Sequence, residues 1–162
     1  MAKKEASKGG EETLELMPLA HGAQHHCFGC GPANQTGLKL KFYVNQEDTI
    51  VCHLEVPKRF EGPPGLTHGG VIATLLDEAM SKVNRHKGVV AMTRQMEVEY
   101  LRPVPLRTPL RLEGRASGGG GRVHRCEAAV IDADGNVLAQ SKGVFIQVDP
   151  AKVLPKLQPE ED

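Results

Sequence analysis

The sequence has no excess of either charge: 20 Lys and Arg balance 20 Asp and Glu in 162 residues. A net charge of zero gives no electrostatic footprint for nucleic acid or an anionic membrane surface, although it leaves room for a small basic rim around a phosphorylated ligand. No apolar run approaches the roughly 20 residues that span a bilayer. The opening stretch MAKKEASKGGEE is charged and lacks the apolar core of a secretion signal, so a cytoplasmic protein is expected. Four cysteines, Cys27, Cys30, Cys52 and Cys126, are too few to staple a domain of this length, and that compartment would keep them reduced. Internal repeats and linkers are also missing. The composition, 40% apolar and 25% charged, suits one globular domain with one sizeable core. The expected division is a tail over residues 1–20, a domain over 21–149 and a second tail over 150–162.

Alternating apolar residues predict strands over 38–44 and 49–56, separated by the turn-like Asn45-Gln46-Glu47-Asp48. The breaker cluster Glu61-Gly62-Pro63-Pro64-Gly65 precedes a helix expected over 69–86. Its apolar positions, Val71, Ile72, Leu75, Leu76, Ala79, Met80 and Val83, form a stripe two residues wide, as in a helix lying on a sheet. Gly88 suits its C-terminal cap. Strands follow over 89–101, 110–116, 122–131 and 137–148, with glycine-rich Ser117 to Gly121 and Asp132 to Asn136 as hairpin turns. Two strands, one long helix and four strands make an α+β layout in which the sheet covers the helix.

The segment His68-Gly69-Gly70 leads into that helix. Paired glycines there serve either a tight loop-to-helix turn or the exposure of unpaired N–H groups, which with the helix dipole suit an oxyanion or anion. Asp77 lies seven residues after Gly70, nearly in line with it, and about 150° from the centre of the apolar stripe. That is a solvated face, or one against which a second subunit packs. Gly70 and Asp77 are roughly 10 Å apart along the axis. An oxyanion donor must sit near 3 Å from its oxygen, and a base within hydrogen-bond reach of its water. One helix therefore does not bring both groups to one carbonyl, whereas two antiparallel copies do. If these residues form an active site, it is shared across a dimer. Glu78 is the rival carboxylate, at about 110° from the stripe and able to pair with Lys82 at i+4. Thr93, on the following strand, either serves β propensity or holds a water or thioester oxygen.

These residues resemble the PaaI-type branch of the hotdog-fold thioesterases. The likeness rests on His68-Gly69-Gly70, Asp77 nine residues after the histidine, then Thr93 and Arg102-Pro103. The run FEGPPGLTHGG, residues 60–70, is similar to mammalian acyl-CoA thioesterase superfamily members, and Cys27-Phe28-Gly29-Cys30-Gly31 with Gly37-Leu38 looks like a leader of bacterial relatives. The resemblance spans about residues 26–148. It implies an α+β hotdog fold, a long central helix wrapped by a curved antiparallel sheet, assembling as a homodimer and often as a dimer of dimers. It also implies hydrolysis of acyl-CoA, with no metal or organic cofactor. Gly69 or Gly70 would polarise the thioester carbonyl. Asp77 of the facing subunit would be general base or nucleophile, Thr93 would position water or carboxylate, and His68 would orient the helix-start loop or touch the thioester. Some relatives carry Asn where this chain has Gly62.

That chemistry needs few parts. A thiolate, with a parent pKa near 8.5, leaves readily, so polarising the carbonyl and delivering water suffice. Met80, with Val83 and Met96, would border an acyl slot, and Lys82, Arg85, Arg94 and Arg122 are among the cations available to CoA phosphates. The Cys27-x-x-Cys30 pair resembles half of a zinc knuckle, but no second pair appears, and only Cys52 or His53 stands as a possible completion. The SGGGGR run lacks the Lys-Ser/Thr of a phosphate loop, and Asp132 to Asn136 lacks the later Glu of a calcium loop. A module that binds acyl-CoA without turnover is the competing function.

Overall fold

A computed structural model describes residues 15–19 and 25–153 of the chain. The two expected tails lie largely outside these residues. Within them, Met17–Pro18 (β1) pairs with Tyr43–Val44 (β2), and Pro150–Val153 (α2) forms one helical turn.

Between these ends the elements are Ile50–Leu54 (β3), a 3₁₀ turn at Lys58–Phe60, the helix Gly69–His86 (α1), then Ala91–Tyr100 (β4), Leu110–Gly120 (β5), Val123–Asp132 (β6) and Val137–Gln147 (β7). All strand pairings are antiparallel, in the order β1-β2-β3-β5-β6-β7-β4. The α1 helix touches β3 through β7, so one sheet wraps one helix. This is the α+β layout expected from the sequence.

The wrapping follows from the stripe. Leu75, Leu76, Ala79 and Met80 are fully buried and meet Val56, Leu112, Val130 and Phe145 within one core. Removing a buried side chain of this size costs about 2–5 kcal/mol. The sheet comes close enough to seat Met80 because β7 has no side chain at Gly143, where a Cβ would lie 2.9 Å from the Met80 sulfur. The helix ends as expected: Gly88 takes φ +72° and its N–H donates to the Arg85 carbonyl.

Two expectations change. The strand expected over 38–44 survives only as β2, because Lys39 adopts φ +51° and the Leu38 and Leu40 N–H groups pair with Phe28 and Gly29 of the leader. The glycine run is strand up to Gly120 rather than turn. A bulge between Ala116 and Gly118 lets β5 continue, with Gly118 at φ +143° and Gly119 at +126°, conformations that glycine tolerates.

Candidate active site

The loop before α1 is held closely. Thr67 N–H donates to the Val104 carbonyl, and His68 N–H to that of Phe60. Gly62 packs beneath it, since a Cβ there would lie 2.8 Å from the His68 Cα. The Asn that some relatives carry at this position does not fit this loop without a shift. His68 is the N-cap of α1, and its Nδ1 accepts the Gly70 N–H at 3.0 Å. Its carbonyl accepts from Val71 and Ile72. Three of the first helix amides are thus engaged. Gly69, the first helical residue, has no carbonyl within the helix to receive its N–H. A neutral imidazole that accepts at Nδ1 carries its proton at Nε2, so His68 presents a donor on its outer edge.

Tyr100, at the end of β4, donates its hydroxyl to the Gly69 carbonyl at 3.1 Å, with its ring beside the bare Cα. The sequence reading missed this residue. Strict alternation puts Thr93 and Tyr100 on opposite faces, because seven is odd. A bulge between Thr93 and Gln95 restores the parity: Thr93, Met96, Val98 and Tyr100 pair with Phe145, Gly143, Ser141 and Ala139, and the four share the face towards α1.

Near the start of β4, Thr93 donates its hydroxyl to Asp77 Oδ1 at 2.8 Å. Burial beneath β4 is the main influence on Asp77 and raises its carboxyl above the ordinary carboxylate value. The Thr93 hydrogen bond opposes that rise, and the neighbouring Glu78 charge adds to it. Asp77 is half-buried, and among the described residues no cation pairs with it. A desolvated carboxyl without a counter-ion is a stronger base than a surface aspartate.

The structure brings Asp77 to Thr93, and His68, Gly69 and Gly70 to Tyr100, and it keeps the two groups apart. They meet opposite ends of β4 and are separated by about two turns of helix. The substrate-contact residues divide as well. Arg85, Arg94 and Arg122 are exposed at one end of the sheet, where α1 ends, β4 begins and Arg122 donates to the Gln147 carbonyl. Lys82 and Met80 must be withdrawn from the surface. Lys82 is only 6% exposed, because the leader folds over it with Cys30 and the Phe42 ring lies beside it. Met80 is enclosed between α1 and Gly143. A depression on the other face of the sheet is lined by Glu97, Glu99, Glu113 and Glu127 together with Arg115 and Lys142, charges that do not suit an acyl chain.

A cysteine nucleophile is not offered by the buried thiols. Burial pushes Cys30 up to about 12 and Cys52 and Cys126 up to about 11, far from a reactive thiolate. No helix among the described residues is long and apolar enough to cross a membrane.

Comparisons with known proteins bear on the family and the fold. The family model of the thioesterase superfamily matches residues 64–139. Acyl-coenzyme A thioesterase THEM4 of Rattus norvegicus is 31% identical over 114 residues, covering 70% of this chain and 49% of its own length. The chain thus spans about half the length of the curated relatives it matches. A Bacillus halodurans protein solved with CoA is 27% identical with a TM-score of 0.59, over 67% of this chain and 73% of that one. A solved thioesterase superfamily protein is 30% identical with a TM-score of 0.56, over 62% of this chain and 76% of that one. With one antiparallel sheet wrapped around α1 and these likenesses across most of the folded region, the chain belongs to the thioesterase superfamily and has its hotdog fold.

Proposed function

We propose that this protein hydrolyses acyl-CoA thioesters to the free acid and CoA. The observation that carries the reading is Asp77: a half-buried carboxyl with no cation partner, aligned by a threonine hydroxyl at 2.8 Å and lying under an exposed sheet edge. A purely binding module has no use for an unneutralised carboxylate beside a thioester. In the proposed mechanism Asp77 takes a proton from water, or attacks the carbonyl itself, while Thr93 fixes its orientation. The carbonyl oxygen is received by the Gly69 N–H. Gly70 joins it when the His68 ring turns away, and the ring meanwhile offers its Nε2 proton.

Because the two halves are separated along one helix, the working unit is a homodimer in which Gly69 of one protomer faces Asp77 of the other. Strand β4 supports that arrangement. It is a sheet edge ten residues long with Met92 and Tyr100, and Leu101 just beyond it, about half exposed, a form that natural proteins pair or cover. A dimer of dimers is a further step of the same proposal. Arg85, Arg94 and Arg122 would receive the CoA phosphates, and Met96, half-buried on β4, would border the acyl chain. No metal or organic cofactor takes part in the hydrolysis. Meeting a CoA thioester, and keeping four free cysteines, both suit the cytoplasm.

The test is thiol release from a panel of medium-chain, long-chain and aromatic acyl-CoAs. Turnover is expected, with Asp77→Asn reducing it at least about a hundredfold. Tight acyl-CoA binding without thiol release would establish the binding module instead. Sharing across the dimer has its own check. Mixing the inactive Asp77→Asn chain with an inactive Gly69→Pro chain should restore activity in the heterodimer, and a mixture that stays dead argues for a site within one chain.

A further inference from the structure

On the flank of α1 next to that of Asp77, the leader 25–40 brings together four side chains that the hydrolysis does not use. Cys27, Cys30 and Glu78 place their ligand atoms all within 4.8 Å of one another. Cys27 Sγ lies 3.3 Å from Glu78 Oε1. The fourth, Lys82, donates to Cys30 Sγ at 2.9 Å and lies 3.4 Å from Glu78 Oε2. We infer that Cys27, Cys30 and Glu78 form a zinc site that clamps the leader to the helix.

Three observations converge on it. The first is spacing. A tetrahedral zinc with bonds of about 2.3 Å to sulfur and 2.0 Å to oxygen sets those atoms about 3.5 Å apart, close to the Cys27–Glu78 separation. The second is the backbone around the cysteines. The Gly31 N–H closes the turn on the Cys27 carbonyl at 2.8 Å, and a Cβ at Gly31 would collide with that same backbone. A Cβ at Gly29 would collide with the Glu78 side chain, so the Cys-x-Gly-Cys-Gly turn is cut to let the helix carboxylate reach the thiols. The third is charge. Two thiolates and a carboxylate balance a divalent ion and the Lys82 ammonium, so the loaded site is neutral in a place that would not tolerate a net charge. Glu78 Oε2 is buried and lacks a hydrogen bond, although Lys82 stands near it. Lys82 would then steady the Cys30 thiolate from the outer shell.

Soft sulfur donors with one carboxylate select zinc over magnesium or calcium. The fourth position is open to water. Cys52 and His53, which the sequence offered as a completion, do not enter the cluster; the third donor comes from the helix. The role is structural, since the cluster lies about 100° around the helix from Asp77 and takes in neither Asp77 nor Thr93. It is independent of the hydrolytic reading.

The experiment is metal analysis of the full chain purified without chelator. About one zinc per chain is expected, and replacement by Co2+ should produce thiolate-to-cobalt charge-transfer absorption. Cys27→Ser and Cys30→Ser should lose the metal and that absorption, while His53→Ala, outside the cluster, should keep both. If the serine variants do not fold, alkylation of the wild-type chain decides. Zinc should shield Cys27 and Cys30 from a thiol reagent by at least about tenfold, and chelation should remove the shield. The proposal is overturned by wild-type protein that binds no zinc, by a cobalt spectrum without thiolate bands, or by a Cys27–Cys30 disulfide in protein handled with zinc.

Discussion

Asp77 and Glu78 are adjacent on one helix and end in opposite circumstances. Asp77 turns towards the edge strand, where a single hydroxyl holds it and among the described residues no cation answers its charge. Glu78 turns towards the leader, where an ammonium and a thiol surround it. The difference shows how a chain separates a reactive carboxylate from a structural one. Proximity of opposite charge neutralises a buried acid, and its absence leaves the acid strained towards the proton. One residue along the helix, a rotation of about 100°, selects between the two.

The contrast breaks most visibly at Lys82. In the metal-free chain Lys82→Met would leave Glu78 largely buried and uncompensated, and denaturant unfolding should show a loss of about 3–5 kcal/mol. Stability within about 1 kcal/mol of wild type would mean that the pair contributes little. A smaller effect is expected at Thr93. Thr93→Val removes a hydrogen bond to an ionised group, worth about 1.5–3 kcal/mol, so turnover should fall by about tenfold or more. Since that bond holds the Asp77 pKa down, its loss lifts the pKa, and the acidic limb of the kcat/KM profile should move to higher pH. An unmoved limb would show that Asp77 is not the group being titrated. Smaller again is Arg94→Ala, expected to raise KM for acyl-CoA by no more than about fivefold, increasingly so at low salt.

The smallest effect is on the melting temperature of Asp77→Asn. The folded pKa of Asp77 lies above its ordinary 3.8, so its stabilising contribution is complete below that value and is lost as pH rises through the raised one. At neutral pH the ionised form costs stability, and the amide should melt no lower than wild type. A clear drop in melting temperature would show that burial does not penalise this carboxylate.

Much of this was legible beforehand. The helix boundaries were readable because the breaker cluster, the apolar stripe and Gly88 agree on them, and the strands because alternation reports half-buried sheet. Lys82 was misplaced for a physical reason. Periodicity measures a helix against its sheet, whereas Lys82 is covered by the leader, a segment with almost no regular structure and hence no period to read. His68 was foreseen as orienting the helix start, but its claim on the Gly70 amide depends on a ring rotamer that sequence does not encode. Tyr100 escaped because sequence alone does not reveal where an extra residue enters a strand.

That extra residue makes β4 behave like a coding sequence with a reading frame. Substitutions between 93 and 95 alter one side chain each, but one more residue inserted there, beyond the single one the bulge absorbs, would shift the phase of everything downstream, sending Met96, Val98 and Tyr100 to the outer side. The helix start would lose its aromatic neighbour with no residue in it changed, so homologues should vary this stretch in identity far more freely than in length.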